Sequence, residues 1–143
     1  MKHSGFDIAF LHPRYWLLWF GLGLLWLITQ LPYKVLLRLG RALGALMQRV
    51  AHSRRHIVTR NIELCFTHLS VAERDALVRE NFASMGIAFF EMAMSWWWPK
   101  KRLSRLVQVQ GLEHLQAAQE QGQGAILMAI HFTTLEIGAA LLG

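Results

Sequence analysis

Two histidines in this chain stand five residues ahead of a glutamate, a spacing that can support acid-base chemistry: His131 before Glu136, and His68 before Glu73. On a single α-helix such a pair would diverge by about 140°. Convergence needs the histidine on a turn and the glutamate in the first turn of the helix that follows. In that arrangement the carboxylate accepts the proton of one ring nitrogen and fixes the tautomer, while the other nitrogen takes a proton from a substrate hydroxyl. This is the general-base chemistry of hydrolases and acyltransferases, worth roughly 10²- to 10⁴-fold in rate. The spacing alone is weak: with seven histidines and nine acids among 143 residues, chance supplies less than one such pair. Context separates the two. Glu73 lies three residues after Ser70 and completes a helix capping box, and no apolar run leads into His68. Glu136 lies three residues after Thr133 and could equally be a capping residue, so at this level both roles stay open.

The elements that would position His131 are legible around it. Ala125-Ile126-Leu127-Met128-Ala129-Ile130 is an uninterrupted apolar run of strand length, which reads as a strand buried on both faces of a parallel sheet. His131 then falls at the carboxyl end of that strand, where open α/β sheets place their ligands. Upstream, Val107 to Val109 alternates like a short strand, Gly111 breaks it, Leu112 to Gln121 reads as a helix, and Gly122-Gln123-Gly124 as a turn. An α/β layer is therefore expected to begin after residue 106. Before it, the Ser70 capping box opens a helix through Phe82 and Met85, with Gly86 either inside it or breaking it. Phe89, Phe90, Met92, Met94 and Trp96-Trp97-Trp98 form an apolar patch that stops at Pro99. Three successive tryptophans cannot all face one core, because helical neighbours are about 100° apart. Lys100, Lys101, Arg102 and Arg105 follow as a basic run that could meet phosphate.

Composition bounds the function. The chain is 54% hydrophobic and 17% charged, which excludes a disordered polymer, and its net charge of +6 points to an anionic partner. One cysteine, Cys65, excludes an internal disulfide and any multi-cysteine metal site. Neither a phosphate-cradling glycine loop nor a metal-ligand cluster is present in the sequence, so no cofactor is indicated. Tyr15 to Ile28 is free of charged residues, and the stretch continues to Leu31. As a helix these seventeen residues reach about 25 Å, a little less than the ~30 Å hydrocarbon core. Tyr15, Trp16 and Tyr33 at its ends and the flanking His12, Arg14, Lys34 and Arg38 fit a membrane-embedded segment, either spanning or lying deep in the interface. Residues 30–33 offer no signal-peptidase site. The basic excess that follows, without an acid until Glu63, places the rest of the chain on the cytoplasmic side. Residues 34–60 carry an apolar stripe (Val35, Leu36, Leu39, Leu43, Leu46, Met47, Val50) opposite their arginines, as a helix lying on anionic lipid would. Nucleic acid is disfavoured, since no stacking aromatics interleave with the basic residues.

Four stretches, LHPRYWLLWFGLGLLWLITQLPY (11–33), RHIVTRNIELCF (55–66), ENFASMGIAFFEMAMSWWWP (80–99) and AIHFTTLEIGA (129–139), together resemble the late acyltransferases of lipid A biosynthesis, the lauroyl/palmitoleoyl type above all. The resemblance runs in order along essentially the whole chain; Thr67 departs from it, where proline is expected after Cys65-Phe66. It implies a fatty acyl group donated by acyl carrier protein, a hydroxyl of a Kdo-bearing lipid A precursor as acceptor, His131 as general base and Glu136 as its charge-relay partner. Family members are longer than this chain, so it reads as an amino-terminal fragment, expected to be inactive by itself.

The combined expectation is an α/β protein: an N-terminal membrane helix, then amphipathic helices leading into the first strands of an incomplete glycerol-phosphate-acyltransferase-like sheet. Its divisions are a membrane anchor at 1–33, a basic and apolar helical region at 34–106, and the start of a catalytic domain at 107–143. The expected catalytic pair is His131 and Glu136, with no cofactor and no metal. The expected partners are acylated acyl carrier protein, the lipid A precursor and anionic lipid of a Gram-negative inner membrane, where the protein is single-pass or monotopic. The rival reading is a membrane-anchored lipid-binding or scaffolding protein in which His131 is only a packed turn residue.

Overall fold

The computed structural model describes residues 8–126, 128, 130 and 132–142. Among these residues seven α-helices follow in order: α1 (Trp16–Thr29), α2 (Tyr33–Val50), α3 (His52–Cys65), α4 (Val71–Trp97), α5 (Lys100–Leu103), α6 (Leu112–Glu120) and α7 (Leu135–Leu142). The longest, α4, has 27 residues and runs about 40 Å. It starts where the capping box requires: the Ser70 hydroxyl accepts from the Glu73 N–H, and the Glu73 carboxylate accepts from the Ser70 N–H at 2.8 Å. It ends at Trp98, whose extended backbone leads into Pro99. Helices α1, α2, α3 and α7 all lie against it.

The most extensive packing is between α2 and α4, and glycine makes it possible. Gly40 and Gly44 of α2 are four apart and share a face with Leu36; Gly86 of α4 lies opposite them. A Cβ at Gly40 would sit 2.6 Å from the Ile87 Cα, and one at Gly86 only 2.5 Å from the Gly44 nitrogen. At Gly44 the added carbon would collide with the Phe82 carbonyl oxygen. Backbone meets backbone here, so no side-chain rotation relieves the clash. Gly86 therefore lies inside an unbroken helix, held there by the packing it permits.

Beyond this crossing the core closes around Leu36, Phe90, Met94, Trp98, Leu103 and Ile137. The carboxyl end of α1 is tied to it by polar contacts. Trp98 Nε1 donates to the Thr29 carbonyl at 2.7 Å, and Arg102 donates to the Gln30 carbonyl at 3.1 Å while its guanidinium stacks 3.5 Å from the centre of the Trp98 ring. These donors meet carbonyls that a helix end leaves without intrahelical partners, and the cation sits at the negative pole of the helix dipole. Arg102 is thus a structural cap rather than a free phosphate ligand. At the start of α2, the Tyr33 hydroxyl donates to the buried carboxylate of Glu91 at 2.7 Å. Burial, then that bond and the adjacent negative charge, hold the phenol well above its ordinary pKa.

Several expectations are corrected. Among the described residues there is no strand and no sheet, so the α/β architecture gives way to a helical one. Residues 107–110 are irregular, and of the run 125–130 the described positions are not strand; Ile126 and Met128 are 94% and 96% exposed. A buried strand exists only by pairing with neighbours, and the described residues supply none. Leu127 and Ala129 lie outside the described residues. The N-terminal membrane helix is corrected as well. The apolar run is broken at Gln30-Leu31-Pro32, leaving α1 with fourteen residues, about 21 Å, and among the described residues no helix is long and apolar enough to cross a membrane. The stretch 34–60 divides at Ala51 into α2 and α3, and the buried part of the α2 stripe faces α4. The tryptophans separate as helical spacing requires: Trp98 is buried and Trp96 exposed.

Two tests follow from this packing. Gly44→Ala should cost about 2 kcal/mol or more in denaturant unfolding, by forcing α2 from α4, whereas Gly23→Ala, with open space around it, should leave stability unchanged or raise it; equal effects would mean that the helices do not touch. Glu73 has its pKa lowered, first by the Ser70 hydroxyl and then by the Ser70 N–H. The cap's contribution is accordingly present in full above the ordinary carboxylate pKa and is lost as pH falls through the lowered one, so helicity of wild type should drop in that acidic range and Ser70→Ala should lose part of this pH dependence.

Candidate functional site

Helix α7 is short, and what fixes it is Ile137, 4% exposed within the core formed by α4 and α5. Burying such a side chain contributes roughly 1.5–3 kcal/mol. Its neighbour Glu136 is turned to the surface by the same anchoring. There it lines the rim of an apolar groove of about 730 Å³. The floor comes from Leu43 and Met47 of α2 and from Met85, Ala88, Phe89 and Met92 of α4; Phe132, Thr133 and Leu135 close the side next to Glu136. A volume of this size is that of a site for an elongated apolar ligand. Among the described residues no donor binds the Glu136 carboxylate, so Thr133 and Glu136 do not form the capping box that the sequence left open.

His131 lies outside the described residues. The turn after it, residues 132–134, leads directly into α7, with the Leu135 N–H bonded to the Phe132 carbonyl and the Ile137 N–H to Thr134. Glu136 lies in the first turn of the helix that follows this turn. His68 is exposed on a loop, its ring near Phe66, and Glu73 is occupied at the α4 cap. Among the described residues no group of three or more histidine, cysteine or acidic side chains could hold a metal ion.

Of the groove residues, Leu43 and Met47 were expected in the stripe of a helix lying on lipid, while Met85 and Ala88 were not marked as functional by the sequence. Their helical spacing is that of core residues; only the absence of a covering element distinguishes them. A second apolar groove of about 750 Å³ runs between α1 and α4, lined by Leu18, Gly21, Leu25 and Phe90 among others, and shares Leu43 and Phe89 with the first. Along α1, Trp16, Leu17, Leu18, Phe20 and Leu27 are each more than half exposed. Apolar surface concentrated in this way marks an interaction face.

Comparison with known proteins bears on the same residues. The sequence model of a family described as bacterial lipid A biosynthesis acyltransferase matches residues 3–143. The lipid A biosynthesis lauroyltransferase of Escherichia coli (strain K12) is 49% identical over 138 residues, covering 96% of this chain and 45% of the relative. The lipid A biosynthesis palmitoleoyltransferase of the same organism is 46% identical with the same coverage. A lipid A biosynthesis acyltransferase of Haemophilus influenzae is 38% identical over 99% of this chain and 46% of its own. The chain thus spans a little under half the length of these relatives. No solved structure matches it significantly.

The groove can be tested without reference to any reaction. Met85→Glu places a charge on its partly exposed wall and should change stability by no more than about 0.5 kcal/mol. Binding of a fluorescent fatty acid should weaken several-fold; unaltered binding would show that the probe sits elsewhere.

Proposed function

As the chain belongs to the bacterial lipid A biosynthesis acyltransferase family, we propose that the protein transfers a fatty acyl chain from acyl carrier protein to a hydroxyl of a Kdo-bearing lipid A precursor. The observation that carries this reading is Glu136 on the rim of an apolar groove, in the first turn of the helix that follows His131. The groove holds the acyl chain. Its apolar walls exclude water, and the carbonyl carbon of the thioester lies at the polar end beside Thr133 and Glu136.

His131 is the general base. One ring nitrogen removes the proton of the acceptor hydroxyl as the oxygen attacks the thioester carbonyl. Glu136 accepts a hydrogen bond from the other nitrogen, holds the tautomer and stabilises the imidazolium as it forms. Collapse of the tetrahedral intermediate expels the thiolate, which takes the proton from His131. The ester and the free thiol leave, and no cofactor is required.

The chain works at the inner membrane of a Gram-negative cell in monotopic fashion. Helix α1 is apolar around most of its circumference and widely exposed, which suits one leaflet of a bilayer, and its open groove adjoins the acyl groove at Leu43 and Phe89. The lysine and arginines of α2 and α3 face anionic headgroups on the cytoplasmic side.

With protein expressed from its complete reading frame, His131→Ala should lower acyl transfer from acyl carrier protein by at least about 10³-fold, with membrane association retained. Glu136→Gln should lower it less, through kcat more than KM. Near-normal turnover in the His131 variant would refute the mechanism.

A further inference from the structure

At the corner where α2, α3 and α4 meet, well away from α7, the surface has a second kind of hollow. It has a volume of about 300 Å³ and is lined by Gln48 of α2, Arg55 and Thr59 of α3, and Asp75, Val78 and Arg79 of α4. Apart from Val78 every lining side chain is polar or charged. A smaller hollow of about 70 Å³ adjoins it, shares Thr59, Asp75 and Val78, and is walled by Arg74. The Nε of Arg74 is buried there without a hydrogen-bond partner.

The charges do not balance. Three guanidiniums, on Arg55, Arg74 and Arg79, stand around one carboxylate, Asp75, and the other acid nearby, Glu63, is engaged by Arg60 at 2.7 Å. Among the described residues none of these three arginines makes an ion pair. Even with Asp75 set against one of them, two positive charges remain. A buried donor left unsatisfied is costly, and the Arg74 Nε is such a donor. Arginine forks, a threonine hydroxyl and a glutamine amide around a cavity of this size are the donor set that recognises a phosphate, whose oxygens accept several hydrogen bonds at once.

We propose that this corner is a binding site for a phosphate group. Arg55 and Arg79 contact it from opposite helices, Gln48 and Thr59 supply neutral donors, and Arg74 supports it from behind. Asp75 offsets one of the positive charges and limits the site to one phosphate. The group belongs either to the headgroup of a membrane lipid or to a free phosphate ester, and the chemistry of recognition is the same for both. The site is separate from the acyl groove, and the proposal does not depend on the acyl-transfer reading.

The test uses the chain in a zwitterionic detergent. Inorganic phosphate, titrated at constant ionic strength against chloride, should raise the melting temperature of wild type. In parallel, flotation should recover the protein with vesicles of phosphatidylcholine containing phosphatidic acid in preference to vesicles made equally negative with a fatty acid, which carries no phosphate. In the double variant Arg55→Gln, Arg79→Gln, both responses should weaken at least roughly tenfold. Arg38→Gln, Arg41→Gln removes the same charge from the exposed side of α2; it should weaken flotation with both kinds of vesicle alike, leaving the response to phosphate and the preference for phosphatidic acid within about twofold of wild type. Circular dichroism verifies that each variant is folded. A response to phosphate alone assigns the site to a soluble ester, and a response to phosphatidic acid vesicles alone assigns it to a lipid headgroup. Equal losses in the two double variants would reduce the effect to diffuse charge and overturn the proposal, as would the absence of both responses in folded wild type.

Discussion

The contact on which the structure depends is the crossing of α2 and α4 at Gly40, Gly44 and Gly86, where two backbones meet with no side chain between them. Helices ordinarily pack with axes 8–10 Å apart, set by the side chains at the contact; removing those side chains lets the helices approach closely. The approach brings Leu36 against Phe90 and Met94 further along the pair, and so fixes where the core begins. It also fixes the distance between Leu43 and Met47 on one helix and Met85 to Met92 on the other, which is the width of the apolar groove. A methyl group at the crossing would alter both.

Other elements are attached to this pair by unlike forces. Helix α1 has almost no polar side chains, yet its carboxyl end is held by hydrogen bonds, from Trp98 to Thr29 and from Arg102 to Gln30. Its outer surface is left free to meet an apolar environment. Helix α7 is held by burial instead, through Ile137, and that anchoring leaves Glu136 facing out. A polar clamp that frees an apolar face, and an apolar clamp that frees a polar side chain, are complementary solutions. Together they place a lipid-compatible helix and a carboxylate on the two sides of the Leu43–Phe89 ridge.

Much of this was legible along the chain, and the reason lies in the range of the interactions concerned. The start of α4 is a contact between residues three apart, and Ser70 and Glu73 announce it. The separation of Trp96 from Trp98 follows from the helical repeat. Gly111 before α6 and Gly122 after it adopt positive φ, as their breaking roles imply. Contacts across 50 or more residues were not legible. Tyr33 could not be matched with Glu91, nor Arg102 with Gln30, because neither pair has any local pattern to mark it. The strand expected over 125–130 failed for a related reason: an apolar run states that a segment seeks burial, while strand formation requires a partner backbone that the run itself does not specify.

By itself the sequence determined the start of α4, the breaks on either side of α6, the concentration of apolar residues in α1 and the end of α4, and the family, since each is written in neighbouring residues or in their order. The tertiary structure alone decided which apolar residues are core and which are groove. Leu36 and Leu43 lie on one face of one helix and look alike in sequence. The first is buried against Phe90, whereas the second forms the floor of an open cavity. Burial is a property of what stands opposite a side chain, and that is set by how closely two glycine-bearing helices can approach.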